Sequence, residues 1–206
     1  MRQCFSDCPL DTPLLGWIDT CSIRRPERLA YQRRELRVLL SSVLRVPPSE
    51  LEVAHKPNGA PYLPLFPNLN ISLSHTGAAI AAILSLSPSQ NGIDIEPVSS
   101  KCLQVISKFA SVREIQSVHQ SFSPDLAACM LWSAKETLYK LIAPASASLS
   151  QSFILKDLTG VDFLRAAFQG QVLPFFVHCP SMDLPQEIEV HVDLPENHVL
   201  TWAVLP

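Results

Sequence analysis

Apolar and polar positions along this chain change their period several times, and each change marks a structural element. Leu29, Leu36, Val38, Leu39, Leu40, Val43 and Leu44 recur with helical spacing, opened by Pro26 and Glu27 and stopped by Pro47 and Pro48. This predicts an amphipathic helix with an arginine-rich outer face. Ahead of it, residues 1–23 read as an irregular entry with one short strand over Leu14–Ile18. His55–Asn70 is broken by Pro57, Gly59, Pro61, Pro64 and Pro67, which leaves turns and short extended pieces. Leu69, Ile71 and Leu73 then alternate with Asn70, Ser72 and Ser74, a strand that sets His75 at its end before a turn at Thr76 and Gly77. Ala78–Leu86 is apolar throughout and reads as a buried strand. Residues 87–92 form a turn into a strand over Ile93–Glu96, closed by Pro97.

The second half predicts short helices over Cys102–Phe109 and Val112–His119 and a longer one over Pro124–Leu141, ended before Pro144. A loop over Ala143–Ser152 follows, then strands over Ser152–Leu155, Val172–His178, Ile188–Val192 and Val199–Val204. Helix plus strands in each half define an α+β chain. The division falls near Pro97–Lys101, giving subdomains 1–98 and 99–206, although no internal repeat is strong enough to derive a symmetry from the residues alone.

Composition narrows the class. A chain of 206 residues that is 47% hydrophobic buries a core without a staple or partner. The longest apolar run, Ala78–Leu84, is too short for a bilayer, so no membrane association is expected. Cys4, Cys8, Cys21, Cys102, Cys129 and Cys179 contain no C-x-x-C pair and follow no leader, which implies reduced thiols and a cytoplasmic location. The net charge of -3 hides seven arginines, Arg24, Arg25, Arg28, Arg33, Arg34, Arg37 and Arg45, against Glu27 and Glu35, a local excess of +5. Such a stretch suits a phosphorylated small molecule or an acidic protein surface, with a solvated helix face as the plain alternative. The neutral-to-acidic remainder and the lack of a nucleic-acid motif argue against DNA or RNA.

Two short motifs carry chemistry. Asp94 and Glu96, two residues apart on one strand, share a face and repel one another unless a cation lies between them, while Ile93 and Ile95 point into the core. Hard oxygen ligands of this kind suit Mg²⁺, which completes its shell with water and substrate phosphate. Alone, the pair is equally a solvent-facing strand end. Trp132, Glu136 and Lys140 follow at i to i+4 spacing on the long helix, where Glu136 offers a third ligand or a base. The plain alternative is an ordinary ion-paired helix, each pair contributing roughly 0.2–0.5 kcal/mol. His75, flanked by Ser74 and Thr76, offers an imidazole and hydroxyls to phosphate oxygens, or is a satisfied turn histidine. His55, His119, His178, His191 and His198 show no metal-ligand spacing and read as structural or exposed.

In chain order, Gly59-Ala60-Pro61-Tyr62-Leu63, Asn70-Ile71-Ser72-Leu73-Ser74-His75-Thr76-Gly77, Gly92-Ile93-Asp94-Ile95-Glu96 and Trp132-Ser133-Ala134-Lys135-Glu136 with Lys140 resemble the 4'-phosphopantetheinyl transferases of the longer, two-subdomain type. The likeness runs from Arg33 to Lys140. It implies two similar α/β subdomains related by a pseudo-twofold, acting as a monomer. It also implies transfer of the phosphopantetheine arm of coenzyme A to a serine of an apo acyl or peptidyl carrier protein, with Mg²⁺, releasing adenosine 3',5'-bisphosphate. By the same resemblance Asp94, Glu96 and Glu136 bind the metal, Glu136 also activates the carrier serine, and Lys140 neutralises the leaving group. Ser74, His75, Lys135 and Arg37 contact coenzyme A. The family's usual glycine-lysine-proline reads Gly59-Ala60-Pro61 here, which implies either compensation by Lys56 or an arginine of the Arg24–Arg45 segment, or a lower affinity for coenzyme A. Two further readings use the same residues: a Mg²⁺-dependent diphosphate hydrolase that needs no acceptor, and a binding module that forms no product.

Overall fold

The computed structural model describes residues 10–17, 25–121, 123–142, 148–155, 172–177 and 186–206. Two antiparallel sheets, each covered by one long helix, meet along a seam. In the first sheet, β1 (Leu14–Trp17), β4 (Leu69–His75) and β5 (Ala79–Leu86) lie in the order β1-β5-β4, against helix α1 (Arg25–Leu44). A small hairpin of β2 (Ala54–His55) and β3 (Pro61–Tyr62) sits beside them, turned at Gly59, whose φ of +86° is the left-handed region that glycine adopts without strain.

The second sheet contains β6 (Gln90–Pro97), β7 (Phe153–Leu155), β8 (Val172–Val177), β9 (Gln186–Asp193) and β10 (His198–Leu205), in the order β6-β10-β9-β8-β7. Helix α4 (Pro124–Ile142) packs on β6, β10 and β9, and the short helices α2 (Ser100–Gln104), α3 (Val112–Gln120) and α5 (Leu149–Ser152) surround it. The arrangement is α+β, two similar halves related by a pseudo-twofold. Among the described residues no helix is long and apolar enough to cross a membrane.

Three clusters form the interior. Leu40 and Leu44 of α1 meet Leu63, Phe66, Ile71, Ala82 and Leu84, while α4 meets the inward side chains of β9 and β10. Between the sheets lie Ala79, Ala81 and Ile83 of β5, Ile93 and Ile95 of β6, and Leu200 of β10. Strand β5 is therefore covered on both faces, which is why its sequence shows no polar alternation.

Helix α1 departs from its expected stripe. Leu29 and Val38 are exposed, and Gln32 is buried instead, donating to the Thr76 carbonyl at 2.6 Å. The N-terminal part of the helix stands over the β4–β5 turn and a pocket, where a hydrogen bond to a turn carbonyl is more useful than an apolar contact.

Strand β6 starts at Gln90 rather than Ile93, because Gln90, Asn91 and Gly92 pair with Leu205, Val204 and Ala203 of β10. A strand from the first half of the sequence is thus hydrogen-bonded into the second sheet. Its junction with β4 is made by side chains. Asn91 Nδ2 donates to the Asn70 carbonyl at 3.0 Å, the Ile93 amide donates to Ser72 Oγ at 3.2 Å, and Ser74 Oγ donates to Asp94 Oδ1 at 2.8 Å. The polar members of the β4 alternation face this seam, and Ser72 is buried there.

The helix expected over Cys102–Phe109 breaks at Val105 into α2 and a 3₁₀ turn, Ile106–Lys108, which turns Ile106 and Phe109 inward. The expected loop after α4 contains one helical turn, α5. Expectations at Cys4, Cys8, Ile18, Cys21, Arg24, His178, Cys179 and residues 143–147 lie outside the described residues.

Gly92 sets how closely α4 lies on β6: a Cβ there would run into the Thr137 carbonyl oxygen and come within 3.0 Å of the Leu141 amide nitrogen. Gly92→Ala is expected to destabilise the fold by about 1–3 kcal/mol through overpacking. Urea denaturation measures this, and an unchanged midpoint would show that α4 lifts off β6 without cost.

Candidate active site

Close approach of α4 to β6 brings carboxylates of the strand under amines of the helix. Asp94, 4% exposed, accepts hydrogen bonds at Oδ1 from Ser74 Oγ at 2.8 Å and from Lys140 Nζ at 2.7 Å. Lys140 also donates to the Ile93 carbonyl at 2.9 Å, which uses two of its three protons. Asp94 Oδ2 is buried with no hydrogen-bond partner among the described residues. A solvent-facing strand end is thereby ruled out for Asp94. Below it, a buried hydroxyl group anchors the helix: Thr201, the β10 neighbour of Asp94, lies 2.8 Å from both Ser133 Oγ and Thr137 Oγ1.

Two more carboxylates border Asp94. Glu96 accepts from Trp132 Nε1 at 3.0 Å, so the strand acid and the helix indole hold each other. Burial first, then the charges of Asp94 and Glu136, push the Glu96 carboxyl above its ordinary value, against the pull of Trp132 and Lys140. Glu136 is raised likewise, by burial and then by Asp94, with Lys140 opposing. Both glutamates thus favour their protonated forms more than an exposed carboxyl does. Among the described residues no group of three His, Cys, Asp or Glu side chains is already assembled to hold a metal ion. The donor set still fits a hard cation, since a buried Asp94 oxygen without a partner and two proton-hungry glutamates are what a divalent ion would satisfy.

Beside the acids lies a pocket of about 490 Å³ between α1, β4, β5 and the β2–β3 hairpin. Arg33, Arg37, His55, Ser74 and His75 line it, together with apolar Leu29, Leu36 and Ile80. Burial and the nearby Lys140 charge lower the His75 pKa, which favours the neutral ring.

The expected site residues therefore fall into groups. Asp94, Lys140 and Ser74 make direct contacts, and Glu96 and Glu136 adjoin them electrostatically. Arg37, Ser74 and His75 share one pocket. Lys56 is exposed in the hairpin turn and is absent from the pocket wall, where Arg33 and His55 stand. Lys135, expected at a phosphate, is placed elsewhere: fully buried, it donates to Glu114 Oε2 at 2.8 Å and to the carbonyls of Phe109 at 2.9 Å and Leu149 at 3.2 Å. One residue back from Glu136 means a turn of about 100° on a helix, which sends Lys135 into the interior. Arg33 belongs to the arginine-rich stretch that pointed to an anionic partner, whereas His55 gave no sequence signal of its own, since the pocket wall comes from segments far apart in the chain.

The model of the 4'-phosphopantetheinyl transferase superfamily matches residues 90–201, more than half of the chain, and the protein belongs to that superfamily. A 4'-phosphopantetheinyl transferase of Bacillus subtilis is 27% identical over 166 residues. That match covers 79% of this chain and 61% of the relative, so the chain spans about three fifths of the length of the curated protein it matches.

The raised Glu136 carboxyl, pushed up by burial first and by Asp94 second, gives a test without substrate. A carboxyl whose pKa is raised on folding favours the fold below its unfolded value and costs stability as pH rises toward and through the folded value. Without divalent cations, Glu136→Gln should melt above the wild type at pH 8, and the difference should vanish as the pH falls toward the ordinary carboxylate range, about 4.3. Calorimetric melting from pH 4 to 8 checks this, and a variant less stable at pH 8 would refute the cost of ionising Glu136.

Proposed function

We propose that the protein transfers the 4'-phosphopantetheine group of coenzyme A to a serine hydroxyl of an apo acyl or peptidyl carrier protein. What supports this reading most is the juxtaposition, within a chain of this superfamily, of the Asp94–Lys140 contact and its two neighbouring glutamates with a pocket carrying Arg33, Arg37, His55 and His75. The pocket receives the coenzyme's anionic nucleotide portion, where guanidinium groups suit phosphate oxygens. Neutral His75 donates a hydrogen bond to a phosphate without adding charge.

Asp94, Glu96 and Glu136 are the residues that would hold Mg²⁺, and the ion supplies charge neutralisation across the diphosphate. Glu136 takes the proton of the carrier serine, a task suited to a carboxylate of raised affinity for protons. The serine oxygen forms a bond to the phosphorus bearing the pantetheine arm as the diphosphate bridge to the adenosine half breaks. Lys140 keeps one proton free of its protein contacts and turns it toward the departing bisphosphate. The basic face of α1, with Arg33, Arg34 and Arg37 exposed, suits an acidic carrier.

With Mg²⁺, coenzyme A and an apo carrier, the protein should add about 340 Da to the carrier, the mass of the cofactor's phosphopantetheine group. Mass spectrometry of fatty-acid and peptide-synthetase carriers reads this. Unmodified carriers would reject transfer, and coenzyme A cleaved without an acceptor would favour a hydrolase. Asp94→Asn and Glu136→Gln should abolish transfer, whereas Arg37→Ala should mainly raise the KM for coenzyme A, by about tenfold for one lost charged contact. An unchanged KM would remove Arg37 from the coenzyme site.

A further inference from the structure

The pair formed by Glu114 and Lys135 has no part in the chemistry just described, yet it is the most completely satisfied polar group in the described interior. Both side chains have no solvent exposure. Glu114 Oε2 accepts from Lys135 Nζ at 2.8 Å and from the Ser111 amide at 2.7 Å, closing the capping box of α3, and Oε1 accepts from the Leu155 amide of β7 at 3.1 Å. All three Lys135 protons are engaged, by Glu114, Phe109 and Leu149. One side chain of α4 is thereby tied to α3, β7, α5 and the turn before α3.

A buried ion pair is a poor source of net stability compared with apolar residues of the same volume, and its best-attested use is to fix one arrangement among several. Here the arrangement in question is the rotation of α4. The helix meets the sheet through an apolar cluster that includes Met130, Leu131 and Leu138, through Ser133 and Thr137 over Thr201, and with its own backbone against Gly92. Apolar contact is non-directional, so it holds the helix on the sheet without specifying one rotation as a charged, fully hydrogen-bonded pair does. Lys135 precedes Glu136 by one residue and Lys140 by five, so any roll of α4 that frees Lys135 swings Glu136 and Lys140 off β6.

We propose that Glu114 and Lys135 act as positioning residues that fix the rotation of α4 and so aim Glu136 and Lys140 at Asp94. The kinetic part of this inference rests on the transferase reading; the spectroscopic part does not. The test compares the wild type with Lys135→Met and with the double variant Glu114→Gln/Lys135→Met, which removes both charges. Lys135→Met alone should melt far below the wild type, and the double variant should regain part of the loss, since it removes the unpaired buried charge but leaves the Gln amide nitrogen against the Ser111 or Leu155 N–H.

The indole N–H resonance of Trp132, assigned by Trp132→Phe, reports the bond to Glu96 and hence the helix rotation. In the double variant it should shift and broaden, and kcat should fall about tenfold or more while the KM for coenzyme A stays within about twofold, because Arg33, Arg37 and His75 lie on other elements. If the double variant does not fold, Glu114→Asp, which keeps the charge and shortens the side chain by one methylene, serves the same comparison. An unmoved Trp132 resonance with wild-type kcat would overturn the proposal and leave the pair a folding element. Loss in KM equal to the loss in kcat would overturn it in favour of a coenzyme contact. A wild type that transfers to no carrier would end the transferase reading, and the Trp132 resonance would still decide the rotation.

Discussion

The distance between helix α4 and strand β6 governs the rest of this structure. Without a side chain at Gly92 the helix backbone settles directly on the strand, near enough for the Lys140 ammonium to reach the Ile93 carbonyl and the Asp94 carboxylate. A long, flexible lysine is held there by two contacts, and the carboxylate it meets is almost free of solvent. In such surroundings a charge is costly unless neighbours compensate, and Lys140 and Ser74 compensate only one of the two Asp94 oxygens. The same low dielectric that makes the cluster costly to the fold makes it responsive to charge arriving in the cleft.

Two levels of order are combined at this point. The sheets are cooperative backbone ladders, and their cores follow simple rules: inward side chains of β9 and β10 under α4, and both faces of β5 covered. The site lies where those ladders stop, at the junction of β4 and β6. Asp94 and Glu96 belong to a strand of the second sheet, Glu136 and the Lys140 amine to α4, and the pocket wall to the first sheet, α1 and the β2–β3 hairpin. Burial first, and the Asp94 charge second, push Glu96 and Glu136 toward their protonated forms at this junction.

Much of this was legible in the sequence. Period changes located α1, β4, β5 and α4 to within a few residues, since proline stops and strand alternation are local signals. Asp94 and Glu96 declared themselves by spacing on a strand, and Trp132, Glu136 and Lys140 by spacing on a helix. What remained hidden was relational. The extra residues of β6 are ordered by pairing with β10, more than a hundred positions away, and α2 breaks at Val105 because Ile106 and Phe109 have a core to fill. Lys135 was misplaced for a related reason: lying next to Glu136 in sequence, it shared that residue's motif, but a helix separates neighbours by direction. Its partner Glu114 was not singled out in the sequence; the structure shows it closing the capping box of α3 with Ser111 as well as meeting the lysine. His55 carried no local mark at all, and Arg33 was marked only as one of a cluster of arginines.

The seam between β4 and β6 is fastened by Asn91, Ser72 and Ser74 instead of a run of backbone bonds. A backbone ladder is nearly indifferent to which residues compose it, whereas a joint made of side chains is written residue by residue. The stiffness of the cleft between the two sheets is for that reason a heritable, adjustable property: one hydroxyl gained or lost at this joint can loosen or tighten the opening while both sheets stay whole.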